Sequence, residues 1–429
     1  MQGSNAAPAL IPTAALGALG ASSNIHHVVI IIQENRTPDD LFNGLPGADT
    51  VRSGKNSLGH NVRLAPSPLT APYDIDHEHQ AYLVEMANGE LNGFDRVLSV
   101  CRLGSRCLPR NRRAYGYVPR SDVEPYFKLA TTYTFADRMF ETNQGPSFPA
   151  HQYLISGTST ISNGSELRAA SNAFTLAGGF TGGCDSPPNS FVYLIDASGD
   201  ERDATYPCFD RLTLMDLLDR KGLSWKYYEK RIGAGLWQAP DAIRHLRYAK
   251  DFSAHVVAPP SAVIADVESG RLPDVAWVTP TAQASDHAGT TDGTGPAWVA
   301  SVVNSIGASE YWNSTAIFVT WDDWGGWFDH VAPPQYNSYE LGFRVPLLVI
   351  SPYAKRHYVS HTQYEFASIL KFTEETFGLG SLGTTDVRAN DLLGCFNFDA
   401  PPARFTPIRA RPGPSYFLHH TDSNDEVDY

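Results

Sequence analysis

The sequence predicts an α/β protein, a sandwich whose central sheet is mostly parallel with helices on both faces. Three observations carry this. Short, almost unbroken apolar runs recur along the chain, as strands covered on both faces require. Amphipathic stretches of helical length lie between them. The composition is that of a large folded core: 429 residues, 42% hydrophobic, 11% aromatic and 18% charged, against roughly 25% charged in an average soluble domain.

Taken in order, residues 1–24 are Ala-rich and lack the positive start of a signal peptide. They read as an arm, or as what remains once a leader is removed. The first strand is 27–32 (HVVIII). Residues 53–120, rich in Gly, Pro, Asn and Arg, and the loop-like Gly/Ser/Asp segment 170–207 break the alternation. Both read as insertions over one sheet edge, where substrate-facing loops sit. A helix over 212–221, strands at 224–228 (SWKYY) and 275–278, a helix over 295–312, strands at 315–321 (TAIFVTW) and 345–351 (VPLLVIS), and a helix over 365–377 complete one domain spanning 25–408. The tail, 409–429, turns Pro-rich and then acidic, and is expected to be peripheral or mobile. No run approaches the roughly 20 apolar residues of a membrane span.

With 33 Lys+Arg against 46 Asp+Glu, the net charge is −13. That balance speaks against a nucleic-acid partner, whose phosphates need a basic surface. A small anionic substrate stays open, because a bound cation reverses the field locally. Of five cysteines, Cys101/Cys107 and Cys184/Cys208 lie in Gly- and Pro-rich segments. Disulfides there would suit an oxidising compartment, secreted or periplasmic; free thiols are the alternative, with one cysteine odd either way.

Four groups of residues carry chemistry. Glu34 and Asn35 follow the first strand, at the strand end where open α/β sheets bind ligands. They offer hard oxygen ligands to a cation, or else a turn cap and an ion pair. Asp322 and Asp323 follow TAIFVTW, and adjacent carboxylates repel unless a cation neutralises them. Gly325 and Gly326 then permit a tight turn and close backbone approach. Ser147, in GPSFPAH ahead of a helix, reads either as an N-cap or as a nucleophile in need of activation. The GxSxG elbow is absent, since Pro149 stands at its last position. His77 and His79 in DIDHEHQ, and His287 in SDH, could hold a proton near neutral pH. Structural roles are their plainer reading.

Together these motifs resemble the bacterial phosphoesterase family that joins respiratory-burst-inhibiting acid phosphatases to phosphatidylcholine-type phospholipases C. The matching pieces run in family order: VVIIIQENRTPDDLFNGLPG, DIDHEHQAY with NGELNGFD, GPSFPAHQYLISGTS, ASDHAG, FVTWDDWGGWFDHVAPP, and GFRVPLLVISPYAK before FASILKFTEETFG. The resemblance implies an alkaline-phosphatase-like sandwich with one divalent ion (Ca²⁺, Mg²⁺, Mn²⁺ or Zn²⁺). It implies Glu34, Asn35, Asp322 and Asp323 as ligands, with Ser147 as the nucleophile whose alkoxide also touches the metal. His77 and His287 would bind phosphoryl oxygens or protonate the leaving group. His79, His151 and His330, within the matching blocks, are candidate substrate contacts. The chain departs from many members in reading Pro149-Ala150-His151 where they have Pro-Asn-Arg, and Gly89-Glu90-Leu91-Asn92-Gly93-Phe94 where they often have Gly-Gly-Lys. Its Asp322-Asp323 pair is similar to the acid-phosphatase branch.

The expected function is therefore metal-dependent phosphoester hydrolysis through a phosphoserine, most like an acid-phosphatase phosphomonoesterase. One alternative is a phospholipase C releasing phospholipid head groups, with Trp324, Trp327 and Phe328 available for transient membrane contact if exposed, though core packing is the plainer role for most of them. A catalytically silent binding protein on the same fold is the alternative from another class.

Overall fold

A computed structural model describes residues 24–420. The arm expected at 1–24 and the acidic end of the tail lie, save for Asn24, outside the described residues.

The core strands, in chain order, are β1 (His27–Gln33), β2 (Thr134–Phe140), β3 (Trp225–Tyr228), β4 (Val256–Val257), β5 (Val275–Val278), β6 (Thr315–Trp321), β7 (Arg344–Ile350), β8 (Tyr358–Ser360) and β9 (Tyr364–Glu365). They form one nine-stranded sheet in the order β4-β3-β5-β1-β6-β7-β2-β8, with β9 also on β2. Strands β4, β3, β5, β1 and β6 pair in parallel. Strand β7 runs antiparallel to both its neighbours, β6 and β2. The sheet is thus mostly parallel with one reversed strand. Val28 to Ile32 and the whole of β6 are buried on both faces, which is why their runs contain no polar alternation.

Helices α1 (Glu124–Thr132), α2 (Ser147–Ser156), α3 (Leu214–Lys221), α4 (Ala262–Glu268), α5 (Gly295–Gly307) and α6 (Phe366–Phe377) cover the sheet in two groups. Helices α1 and α4 pack on α5, whereas α3 and α6 pack on α2.

Three expectations change. Strand β2 (TFADRMF) has no counterpart in the sequence reading, because Asp137 and Arg138 interrupt its apolar run. Asp137 is nevertheless buried, accepting bonds from the Asp49 amide and His361. Segment 170–207 is not loop-like: Arg168–Ala169, Ala173–Thr175, Phe180–Thr181, Ser190–Ile195 and Asp203–Thr205 form a separate five-stranded antiparallel sheet. The tail is not wholly peripheral, since Phe417 in the helix Pro414–His419 packs edge-on against Trp298 of α5 at 5.3 Å. Both disulfides, Cys101–Cys107 and Cys184–Cys208, are formed, and Cys395 is a buried free thiol.

Candidate functional site

Parallel strands bring their carboxyl ends to one edge of the sheet, and the chain there is locked by backbone hydrogen bonds. The Glu34 amide donates to Ser285 O at 2.8 Å, that of Asp322 to Gln33 O at 2.9 Å, and that of Arg36 to Asp323 O at 3.0 Å. Three separated sequence motifs thereby become one surface. Asn35 adopts the left-handed conformation (φ 61°), which asparagine tolerates better than most residues. A Cβ on Gly325 would lie 2.5 Å from the Asn35 Cβ, so the turn after Asp323 needs glycine.

Glu34, Asn35, Ser147, Asp322 and Asp323 meet here, all fully buried. Ser147 is the first residue of α2, whose N-cap is Pro146 with no side-chain cap bond. The capping reading is therefore overturned. The Ser147 hydroxyl donates instead to Glu34 Oε2 at 3.2 Å and lies 3.3 Å from Asp323 Oδ2. The neighbouring Phe148 amide is taken by Asn172 Oδ1 at 2.9 Å, a contact from the 170–207 insertion.

Two histidines join on the other side. His77 Nδ1 lies 2.7 Å from Ile75 O, and His287 Nδ1 lies 2.7 Å from Ala288 O. Because a carbonyl can only accept, both rings carry a proton on Nδ1. His77 Nε2 then accepts from Asn35 Nδ2 at 3.3 Å and sits 3.9 Å from Asp323 Oδ2. The His77 and His287 rings are 6.1 Å apart.

His151 also reaches the carboxylates rather than an outer subsite. Its Nε2 is 3.2 Å from Glu34 Oε1 and 3.7 Å from Asp322 Oδ2. Its Nδ1 meets Tyr227 OH at 3.2 Å, whose own proton goes to Trp237 O at 2.7 Å. Glu34, His151 and Asp322 offer ligand atoms all within 4.8 Å of one another.

The donor set fits a divalent cation. Asn35 Oδ1 and Asp322 Oδ2 are buried oxygens without a hydrogen-bond partner, a costly state unless a cation serves them. Three carboxylates buried side by side are costly for the same reason. Separations of 3.2–3.7 Å between neighbouring donors match adjacent ligands bound at about 2.0–2.4 Å to one ion.

Two other candidates are not brought into this group. His79 pairs with Glu201 and lies 3.3 Å from Gln144 Oε1. His330 lies 2.6 Å from Asp39 and 3.2 Å from Asp49, in a network with Asp329 and Arg344. Asp39, Asp329 and His330 form a second group close enough to hold an ion, but the buried Arg344 guanidinium already hydrogen-bonds both Asp329 oxygens. Trp324, Trp327 and Phe328 are 0, 0 and 3% exposed and pack in one apolar cluster, as core residues rather than as membrane contacts.

Sequence reasoning passed over three residues. Arg36 donates twice to Asp286 O, at 3.0 and 2.7 Å, and to Asp40 at 2.9 Å, pinning the His287 loop to β1. Asp286 itself accepts from Tyr126 OH at 2.7 Å, and burial pushes its carboxyl up to about 6. Burial, then the charges of Asp323 and Asp322, holds the Glu141 carboxyl well above its ordinary range. The Arg of ENR was the one visible signal among these.

A model of the Phosphoesterase family matches residues 25–380. Phospholipase C A of Mycobacterium tuberculosis is 25% identical, over 92% of this chain and 81% of its own. The non-hemolytic phospholipase C of Pseudomonas aeruginosa is 25% identical over 93% and 62%, respectively. Non-specific phospholipase C1 of Arabidopsis thaliana is 26% identical over 83% and 68%. Among solved structures, a protein in the alkaline phosphatase superfamily from Vibrio parahaemolyticus aligns over 87% of this chain and 78% of its own, at 11% identity and a TM-score of 0.39.

Proposed function

The chain belongs to the Phosphoesterase family and is a phosphoric ester hydrolase, and from that premise we propose that it works through a phosphoserine on Ser147 with one divalent ion, as an acid-phosphatase-like phosphomonoesterase. The observation that carries this is the Ser147 hydroxyl, at the start of a buried helix and 3.2–3.3 Å from Glu34 and Asp323. Glu34, Asn35, Asp322, Asp323 and Ser147 would hold the ion, with His151 Nε2 adding a nitrogen donor. Once bound, it lowers the hydroxyl pKa and neutralises a phosphoryl oxygen.

The chain's own groups do the rest. The Ser147 hydroxyl passes its proton to the Glu34 carboxylate, to which it donates, and Oγ attacks phosphorus in line. As the Oγ–P bond forms, the bond to the leaving oxygen breaks, and His287 protonates the departing alcohol. The same imidazole, now neutral, takes a proton from the water that attacks the phosphoserine; the Oγ–P bond breaks, inorganic phosphate leaves, and Ser147 Oγ recovers its proton from Glu34. The Arg36 guanidinium keeps the His287 loop in register through Asp286 O.

A second reading is phospholipase C action on phospholipid head groups, favoured by the names of the relatives above. Two disulfides support an oxidising, secreted or periplasmic location under either reading.

Replacing Ser147 by Ala is expected to lower kcat/KM at least about 10³-fold, with the near-UV circular dichroism unchanged. Retained turnover would sink the phosphoserine route. Relative rates on p-nitrophenyl phosphate, bis-p-nitrophenyl phosphate and phosphatidylcholine micelles decide between monoester and diester.

A further inference from the structure

We propose that the disulfide-stapled loop 96–113 is a docking surface for an anionic phospholipid membrane. The inference goes beyond the hydrolytic reading and holds for either ester class.

The loop reads RVLSVCRLGSRCLPRNRR, six arginines and no acidic residue within a chain of net charge −13. None of the six guanidinium groups forms an ion pair with a carboxylate among the described residues. Arg96, Arg102, Arg106, Arg110 and Arg112 are exposed.

Apolar side chains stand among them. Leu98 and Val100 are each 59% exposed, on the face of the strand Ser99–Cys101 opposite Cys101. Leu103, at the tip of the loop closed by Cys101–Cys107, is 101% exposed. Leu58 (74% exposed) sits on the adjoining hairpin, which Ser57 ties to Asp95 at 2.8 Å. Alongside, Arg52, Arg63 and Arg112 line a cavity of about 520 Å³.

Exposed leucines alone would suit a second copy of the chain or a partner protein. Charge and symmetry decide the occupant: a two-fold pairing of copies through this loop would set its six arginines against the same six of the other copy. An anionic bilayer supplies both a negative plane and an apolar layer for the tip. The position is apt. Asp76, beside His77, donates its amide to Leu98 O at 2.9 Å, and the Arg102 guanidinium bonds Gly289 O, two residues past His287. The surface thus adjoins the segments that carry both site histidines.

The test is co-sedimentation of the oxidised, full-length protein with phosphatidylcholine vesicles and with vesicles containing phosphatidylglycerol. Binding is expected on the anionic vesicles, weakening as salt rises. The double variant Arg106→Glu/Arg110→Glu should bind roughly 25-fold more weakly or worse, at about fivefold per arginine. Leu103→Asp should lose about tenfold. Both variants should keep the thermal midpoint and turnover of a soluble phosphoester, and Ser147→Ala should bind vesicles like the parent. Equal binding to neutral vesicles, wild-type binding by both variants, or a change in oligomeric state with Leu103→Asp and no vesicle binding by the parent would each overturn the proposal.

Discussion

His151 stands where the carboxylates of Glu34 and Asp322 converge, on the first turns of the same helix that presents Ser147. Three residues along a helix return to nearly one face, and four overshoot slightly, so a serine at its start and a histidine four later reach one point. A nitrogen donor among oxygens moves the preference toward Zn²⁺ and Mn²⁺ relative to Ca²⁺ and Mg²⁺. On apo-protein, His151→Gln is expected to weaken Zn²⁺ at least tenfold by calorimetry, with a smaller change for Mg²⁺. An equal loss for both ions would remove His151 from the ligand set. At this scale the sequence was eloquent about residue types and silent about direction. Glu34, Asn35, Asp322 and Asp323 stood out as candidate oxygen donors by their place at strand ends. Whether Ser147 capped its helix or faced the carboxylates depended on a side-chain rotamer that spacing does not encode.

Elements were legible where burial forces a plain pattern. β5 and β6 have the bounds their apolar runs predict, because both faces of these strands are covered. β2 hid behind Asp137 and Arg138, whose partners come from residues far along the chain. The N-terminus of α3 illustrates how such partners act. Thr213 and Asp216 form a capping box there, and His245, from the short helix Arg244–Arg247, bridges Asp210 at 2.6 Å and Asp216 at 2.9 Å. The hydrogen bond to Asp216 leads in raising the His245 pKa from 6.5 to about 9, against partial burial. A raised folded-state pKa stabilises fully below pH 6.5 and loses that contribution as pH climbs through 9. The bridge is partly solvated, so His245→Gln is expected to cost about 1 kcal/mol at pH 6. Urea titrations above pH 9 should show no difference. A constant deficit across that range would assign the effect to packing instead.

For the molecule as a whole, charge and chain ends matter most. The net −13 is not evenly spread. Glu34, Asp322 and Asp323 are gathered in the buried site, while residues 96–113 form a basic rim beside it. The C-terminal stretch belongs to the fold as far as Phe417, only 9% exposed on Trp298. Phe417→Ala should therefore cost about 3 kcal/mol and lower Tm by several degrees. An unchanged calorimetric midpoint would show the tail to be dispensable. By itself, the sequence determined the α/β class and the family, since strand burial and the ordered motifs are written in contiguous residues. Tertiary structure alone decided that Ser147 turns to Glu34 and Asp323, that His151 joins them, and that Trp324 and Trp327 face inward while Leu103 faces out. Those outcomes depend on which distant segments pack together, and contiguous residues carry no record of that.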